Sequence, residues 1–219
     1  MKQNVMILNC SPRGEKGSSY AIAAYFKQCI EQFGYQSVLL SLAKERENAQ
    51  NLFSKMSLSD VLILSVPVYE NMVPGMLMRF FEEAYVSREQ FGNKARRIFV
   101  ITNSGFAAVQ ASQSTVAICK AFSKAMRFEW LGGAAVAPGT LIEQGDLIAS
   151  AKTYRKLIEA ICLISQSIVQ NRQIPEQAFQ MLSKTFISNR VYRFAGYLIQ
   201  KKEMKRLGKA RYYAKPMVR

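Results

Sequence analysis

Apolar residues along the chain alternate between short continuous runs and longer stretches with helical spacing. Runs at 5–8, 36–42, 60–66, 97–102 and 130–136 read as five strands. Helical patterns fill the intervals at 19–33, around 45–56, at 75–86, at 113–127 and, after the last strand, at 146–169. The 60–66 run is almost wholly apolar, as expected for a strand covered on both faces. Five such βα units predict an α/β fold: a doubly wound parallel sheet with right-handed crossovers and helices on both faces. Ligands of such sheets bind beyond the carboxyl ends of the strands, where the strand order reverses. That rule directs attention to the segments after strands one, three and four.

The first of these segments, residues 9–20, is rich in small, hydroxylated and basic residues. A strand that ends in such a loop and turns into a helix suits a phosphate, because the helix offers unpaired N–H groups and the positive end of its dipole. Ser11, Ser18, Ser19 and Tyr20 can donate hydroxyl hydrogen bonds, and Arg13 a charge-assisted one. The same residues also make an ordinary turn with a serine cap. No Walker A spacing and no Gly-x-Gly-x-x-Gly pattern is present, so a terminal monophosphate fits better than a pyrophosphate or triphosphate.

The second segment sets Pro67, Val68, Tyr69, Glu70, Asn71 and Met72 ahead of Val73 and Pro74. Two prolines stiffen it, and Tyr69 and Met72 offer flat or polarizable surface. They suit either a ring ligand or a cap on the core. The third segment, Asn103, Ser104, Gly105 and Phe106, combines polar side chains, a close backbone approach and an aromatic cover. One end of the predicted pocket therefore suits a phosphate and the other a flat heterocycle.

Composition narrows the chemistry. The chain has 219 residues and no histidine, and its four cysteines, Cys10, Cys29, Cys119 and Cys162, form no C-x-x-C pair. Zinc sites of the usual kind and imidazole-based nucleophile machinery are disfavoured, so an enzyme of this composition would depend on a cofactor. Free thiols in a reducing compartment are the expectation. No apolar run approaches the roughly 20 residues that span a bilayer, and the amino terminus does not read as a signal peptide, so a cytoplasmic location is expected. The net charge of +15 is concentrated in residues 184–219, which hold eleven Lys/Arg against one acid, Glu203.

The ordered set of Ser11-Pro12-Arg13 with Ser18-Ser19, then Pro67-Val68-Tyr69 with Pro74, then Asn103 to Phe106, and finally Glu129-Trp130-Leu131-Gly132-Gly133 resembles the flavodoxin-like NAD(P)H-dependent FMN reductases over residues 3–165. The resemblance implies a flavodoxin-like five-stranded parallel sheet of order 2-1-3-4-5 and bound FMN. Its phosphate would sit on Ser11, Arg13, Ser18, Ser19 and Tyr20. Its ribityl and ring would lie against Pro67, Val68, Tyr69, Glu70, Asn71 and Met72, and Asn103, Ser104, Gly105 and Phe106 would close the other side. Cys10 stands where the family usually has Gly or Ala and threatens to crowd the loop; Ser18-Ser19 replaces the commoner Asn-Thr.

The implied activity is hydride transfer from NADH or NADPH to a flavin, quinone or similar small-molecule electron acceptor. Backbone N–H groups at residues 69–72 would stabilise charge on the reduced ring. No catalytic side chain is assignable. The alternatives are a flavodoxin-like electron carrier without nicotinamide activity, and a binding protein that has lost its flavin. A homodimer or higher homo-oligomer is expected, and no nucleic-acid partner. Residues 1–170 are taken as the FMN-binding domain and 171–219 as a basic, aromatic-containing helical extension. The expected role of 184–219 is packing on its own domain or a neighbouring subunit, with peripheral membrane contact as the alternative.

Overall fold

A computed structural model describes residues 4–45, 49–92, 94–105, 109–139, 142, 147–148 and 151–183, together with Val191, Phe194, Gly196, Tyr197, Leu198, Lys201 and Met204. Five strands, β1 (Asn4–Asn9), β2 (Gln36–Ser41), β3 (Val61–Val68), β4 (Arg97–Ser104) and β5 (Glu129–Val136), form one sheet of order β2-β1-β3-β4-β5. Every neighbouring pair is parallel. The strand order inferred by resemblance is therefore the observed one.

Alternation along each strand divides the core in two. Val5 and Ile7 of β1 face one side, with Ile63, Phe99 and Ile101; Met6 and Leu8 face the other, with Leu62, Leu64 and Val100. Helices α1 (Ser18–Gln32), α6 (Ala151–Val169) and α7 (Glu176–Leu182) contribute Phe26, Ile161 and Leu182 to the first side. On the second, α3 (Ala49–Leu58), α4 (Gly75–Val86) and α5 (Gln113–Ala125) contribute Phe53, Phe80 and Phe122. With layers on both faces, all eight residues of β3 and all eight of β4 are buried.

Element boundaries differ from the periodicity at informative places. The helical stretch expected around 45–56 is a short turn, α2 (Leu42–Glu45), followed by α3, with 46–48 outside the described residues. The long helix expected from 146 is described only from Ala151; Asp146 lies outside the described residues. Strands three and four each run two residues further than expected, because the parallel ladder continues through Pro67 opposite Asn103 and Val68 opposite Ser104. Asn103 and Ser104, expected in a turn, are thus held rigidly at the end of a central strand.

The Trp-Leu-Gly-Gly segment acquires a packing explanation. The β4–β5 register slips between Ile98 and Phe99, so Leu131 is an extra residue and Gly132 stands opposite Phe99. Gly132 has φ +137°, and a Cβ there would lie 2.7 Å from Cζ of Phe179 on α7. The bulge and the missing side chain together let α7 lie against β5.

The chain divides into two compact units, Met1–Phe186 and Ile187–Arg219. The first continues past residue 170, because Ala178 and Leu182 of α7 are buried in the same core as Ile164 and Ile168 of α6. In the second, the described residues are helical where assigned; Val191, Phe194, Tyr197 and Leu198 are exposed, and the Lys201 ammonium lies 5.9 Å from the Tyr197 ring centroid. The other residues of the basic stretch 184–219 lie outside the described residues.

Candidate functional site

At the carboxyl end of β1 the loop is organised by Asn9, which is fully buried. Its Oδ1 accepts from the Ser11 N–H (3.2 Å), and its Nδ2 donates to the Gly14 carbonyl (3.0 Å) and to the Ser41 hydroxyl (3.1 Å). One amide side chain thus fixes both ends of the turn and ties it to β2. Ser11 is buried, and its Oγ accepts from the Arg13 N–H at 3.2 Å, leaving its own hydroxyl hydrogen to donate. A Cβ on Gly17 would come within 2.9 Å of that oxygen, so the loop closes on itself only because residue 17 has no side chain.

Helix α1 begins directly after Gly17 with no side-chain cap. The N–H groups of Ser18 and Ser19 have no acceptor among the described residues, and neither has the exposed Arg13 guanidinium. Two amides without an acceptor among the described residues thus lie at the positive end of the α1 dipole, with the exposed Arg13 in the loop just before it. Tyr20 is half-buried and lines a neighbouring cleft with Leu39, Ser41 and Lys44.

Ser19 plays a different part from the one its position suggests. Its hydroxyl donates to Asn103 Oδ1 at 2.6 Å, and its carbonyl accepts from Ser65 Oγ at 2.8 Å. Ser65 sits in β3, and its own carbonyl accepts the Cys10 N–H at 2.9 Å. The three segments are therefore joined at the carboxyl ends of β1, β3 and β4. With its hydroxyl proton committed, Ser19 can offer an anion only its backbone N–H.

Beyond Val68, Tyr69 and Met72 close a tight turn through reciprocal hydrogen bonds, Tyr69 N–H to Met72 (3.1 Å) and Met72 N–H to Tyr69 (2.9 Å). The central residues Glu70 and Asn71 have φ +49° and +63°, the left-handed pair of a primed turn. Asparagine tolerates this; glutamate seldom adopts it, and such strain concentrates at functional positions. The expectation that N–H groups throughout 69–72 face a ring is corrected here: those of Tyr69 and Met72 are spent within the turn, leaving Glu70 and Asn71. Neither Tyr69 nor Met72 caps the core. They are 43% and 49% exposed, whereas Val68, Val73 and Pro74 beside them are buried.

Asn103 is anchored through its carbonyl oxygen, while its Nδ2 lies 3.1 Å from where a Cβ on Gly139 would stand. The Gly139 N–H donates to the Ser104 carbonyl at 2.7 Å, fastening the segment after β5 to the end of β4. Ser104 is buried and Gly105 half-buried; Phe106 lies outside the described residues.

A model of the flavodoxin-like fold matches residues 3–131, and the sheet has the corresponding strand order. The chain belongs to the flavodoxin-like fold family. Similar solved structures include a flavone reductase (11% identity, 96% of this chain and 93% of that one, TM-score 0.60). An FMN-dependent NADH-azoreductase from Bacillus anthracis, solved with FMN, is 11% identical over 76% of this chain and 99% of its own, with a TM-score of 0.59. An NADPH-quinone reductase from P. pentosaceus is 16% identical over 78% and 99%, with a TM-score of 0.51. At these identities the likeness is one of fold. No curated protein matches the sequence.

Within this flavodoxin-like frame the crowding expected from Cys10 does not arise. Its side chain is fully buried in the core on the α3–α5 side, with Sγ 3.5 Å from the Leu8 carbonyl, and burial, with a smaller effect of Cys119, pushes its thiol well above the usual range. Asn9 and Ser65 are the organising residues that sequence reasoning did not single out. The available signal was a polar residue ending or interrupting an otherwise apolar strand.

Proposed function

We propose that this protein is an FMN-dependent oxidoreductase that passes reducing equivalents from NADH or NADPH to a small flavin, quinone or similar acceptor. The observation that carries this reading is that Ser19, at the start of the helix whose free amides make the phosphate cradle, is bonded to both Asn103 of β4 and Ser65 of β3. These two strands are paired, and β3 leads into the exposed Tyr69–Met72 turn. FMN has a dianionic phosphate and a flat ring, and the two halves of the site suit those groups.

In this reading the Ser18 and Ser19 amides, the Ser11 and Ser18 hydroxyls and Arg13 hold the phosphate. The Glu70 and Asn71 amides face the polar edge of the ring, and Tyr69 and Met72 shield it from water. Asn103, oriented by Ser19, presents Nδ2 as a donor. When bound, the flavin supplies the hydride and electron chemistry that a chain without histidine does not itself provide. The chain's part is to bind, orient and exclude water.

The test is reconstitution with FMN followed by anaerobic addition of NADH or NADPH, then of a quinone. Loss and recovery of flavin absorbance supports the reductase. Stable FMN binding with no nicotinamide oxidation points to an electron carrier, and no FMN binding rejects both.

A further inference from the structure

Cys29 and Cys162 belong to no part of the site above. Cys29 lies roughly 16 Å along α1 from Ser18, at 1.5 Å per residue, toward the opposite end of the helix. It faces Cys162 of α6, with the two sulfurs 2.7 Å apart. The Tyr25 hydroxyl, one helical turn before Cys29, lies 3.6 Å from Cys162 Sγ. Phe26 and Ile30 of α1 and Leu157, Ile161 and Ile164 of α6 are all buried in one core, so the helix pair holds the two thiols in register.

The two sulfurs are not equivalent. Cys29 is buried, with 1% exposure, whereas Cys162 is half-buried and lines a surface cleft of about 350 Å³ with Phe33, Glu159, Leu163, Gln166 and Met181. A small oxidant entering from solvent therefore meets Cys162 first and finds Cys29 directly behind it. The hydrogen bond of Cys162 with Cys29, together with that of the Tyr25 hydroxyl, outweighs burial and lowers the pKa of Cys162. The other two cysteines, Cys10 and Cys119, are fully buried with pKa values raised by burial.

We propose that Cys29 and Cys162 form a thiol-based peroxide-reactive site, separate from the flavin site, that closes reversibly into a disulfide joining α1 to α6. The Cys162 thiolate attacks one oxygen of hydrogen peroxide, the O–O bond breaks, and the departing hydroxide takes up a proton to leave as water. Cys162 becomes a sulfenic acid. The Cys29 sulfur then attacks the Cys162 sulfur, the S–O bond breaks, and the Cys29 proton leaves with the hydroxide as a second water. Two thiols lose two electrons in total, and one peroxide is reduced to two waters. Bringing the sulfurs to bonding distance needs a shift well under about 1 Å, which a packed helix pair can supply. A dithiol reductant reverses the bond by exchange.

The full-length reduced protein, treated with one equivalent of hydrogen peroxide, should lose about 2 Da and yield a single linked peptide pair containing Cys29 and Cys162. Dithiothreitol should restore the mass. Cys162→Ser should abolish the cross-link, and Cys29→Ser should leave a sulfenic acid on Cys162 that dimedone traps. Brief iodoacetamide labelling of the native wild type, which needs no variant to fold, should modify Cys162 at least tenfold faster than Cys10 or Cys119. Equal labelling of these cysteines, absence of the linked peptides, or a Cys162→Ser variant that loses its remaining thiols at the wild-type rate each overturns the proposal.

Discussion

Ser19 Oγ donates to Asn103 Oδ1 at 2.6 Å across 84 residues of sequence, and both residues are buried. The bond couples the start of α1, where the proposed phosphate cradle lies, to the end of β4, the strand paired with β3 ahead of the exposed turn. Ser19→Ala removes the donor and leaves a buried amide oxygen unpaired, a cost of about 1–3 kcal/mol. Thermal unfolding should register that loss, and FMN affinity should fall roughly tenfold as Asn103 loses its orientation, since a tenfold change corresponds to about 1.4 kcal/mol. Unchanged stability with weakened FMN binding would instead place the Ser19 hydroxyl on the ligand.

Arg13 separates binding from folding. It is exposed and makes no ion pair among the described residues, so Arg13→Gln should leave unfolding in urea unchanged. A charge-assisted hydrogen bond contributes about 1.5–3 kcal/mol, which predicts roughly a 10- to 100-fold loss of FMN affinity. Riboflavin, lacking the phosphate, should bind both proteins alike. Fluorescence titration with the two flavins checks this directly.

Gly132→Ala tests the opposite case. The new Cβ meets Phe179 at 2.7 Å on a backbone with φ +137°, so overpacking and strain combine to destabilise by about 2–4 kcal/mol. FMN affinity of the folded fraction should not change. Phe179→Ala in the same chain should make the double variant's loss smaller than the sum of the two single ones.

Arg96 is 4% exposed, and four backbone carbonyls, those of Met56, Ser57, Phe91 and Lys94, accept from its guanidinium at 2.6–3.2 Å. It joins the end of α3 to the 3₁₀ turn Arg88–Phe91 ahead of β4. Lysine cannot span four acceptors, and Arg96→Met leaves them unsatisfied, so urea unfolding should show a loss of about 3 kcal/mol or more. This end of the sheet is opposite the site, and FMN affinity should be retained.

Asp60 provides a pH test. Partial burial raises its pKa, but the Lys94 ammonium at 2.8 Å and the Asn4 N–H at 2.7 Å outweigh that and lower it on balance. A carboxyl whose folded pKa lies below its unfolded value stabilises fully above the unfolded value and loses that contribution as pH falls through the folded one. Stability should therefore decline below about pH 4 more steeply in the wild type than in Asp60→Asn, as acid titration of the unfolding midpoint will show.

The strands, most helices and the three loops were readable because they rest on local periodicity and on proline and glycine placement. Partner choice was not. Ser18 and Ser19 are identical in sequence terms, yet Ser18 is half-buried with no side-chain partner among the described residues, while Ser19 is buried and committed to Asn103. Asn9 looked like the polar end of a strand and proved to be the residue that holds the loop. Gly132 and Gly133 entered through a family resemblance, while the structure gives Gly132 a packing role under α7.

By itself the sequence determined the alternation of βα units, the three loops that follow strands one, three and four, and the absence of histidine, since each depends on residue type and spacing alone. Only the tertiary structure decided that Ser19 binds Asn103, that Tyr69 and Met72 stand exposed, and that Cys29 faces Cys162. The physical reason is that a hydrogen bond or sulfur contact is fixed by atoms arriving from distant segments. Those positions exist only once the two faces of the sheet are packed.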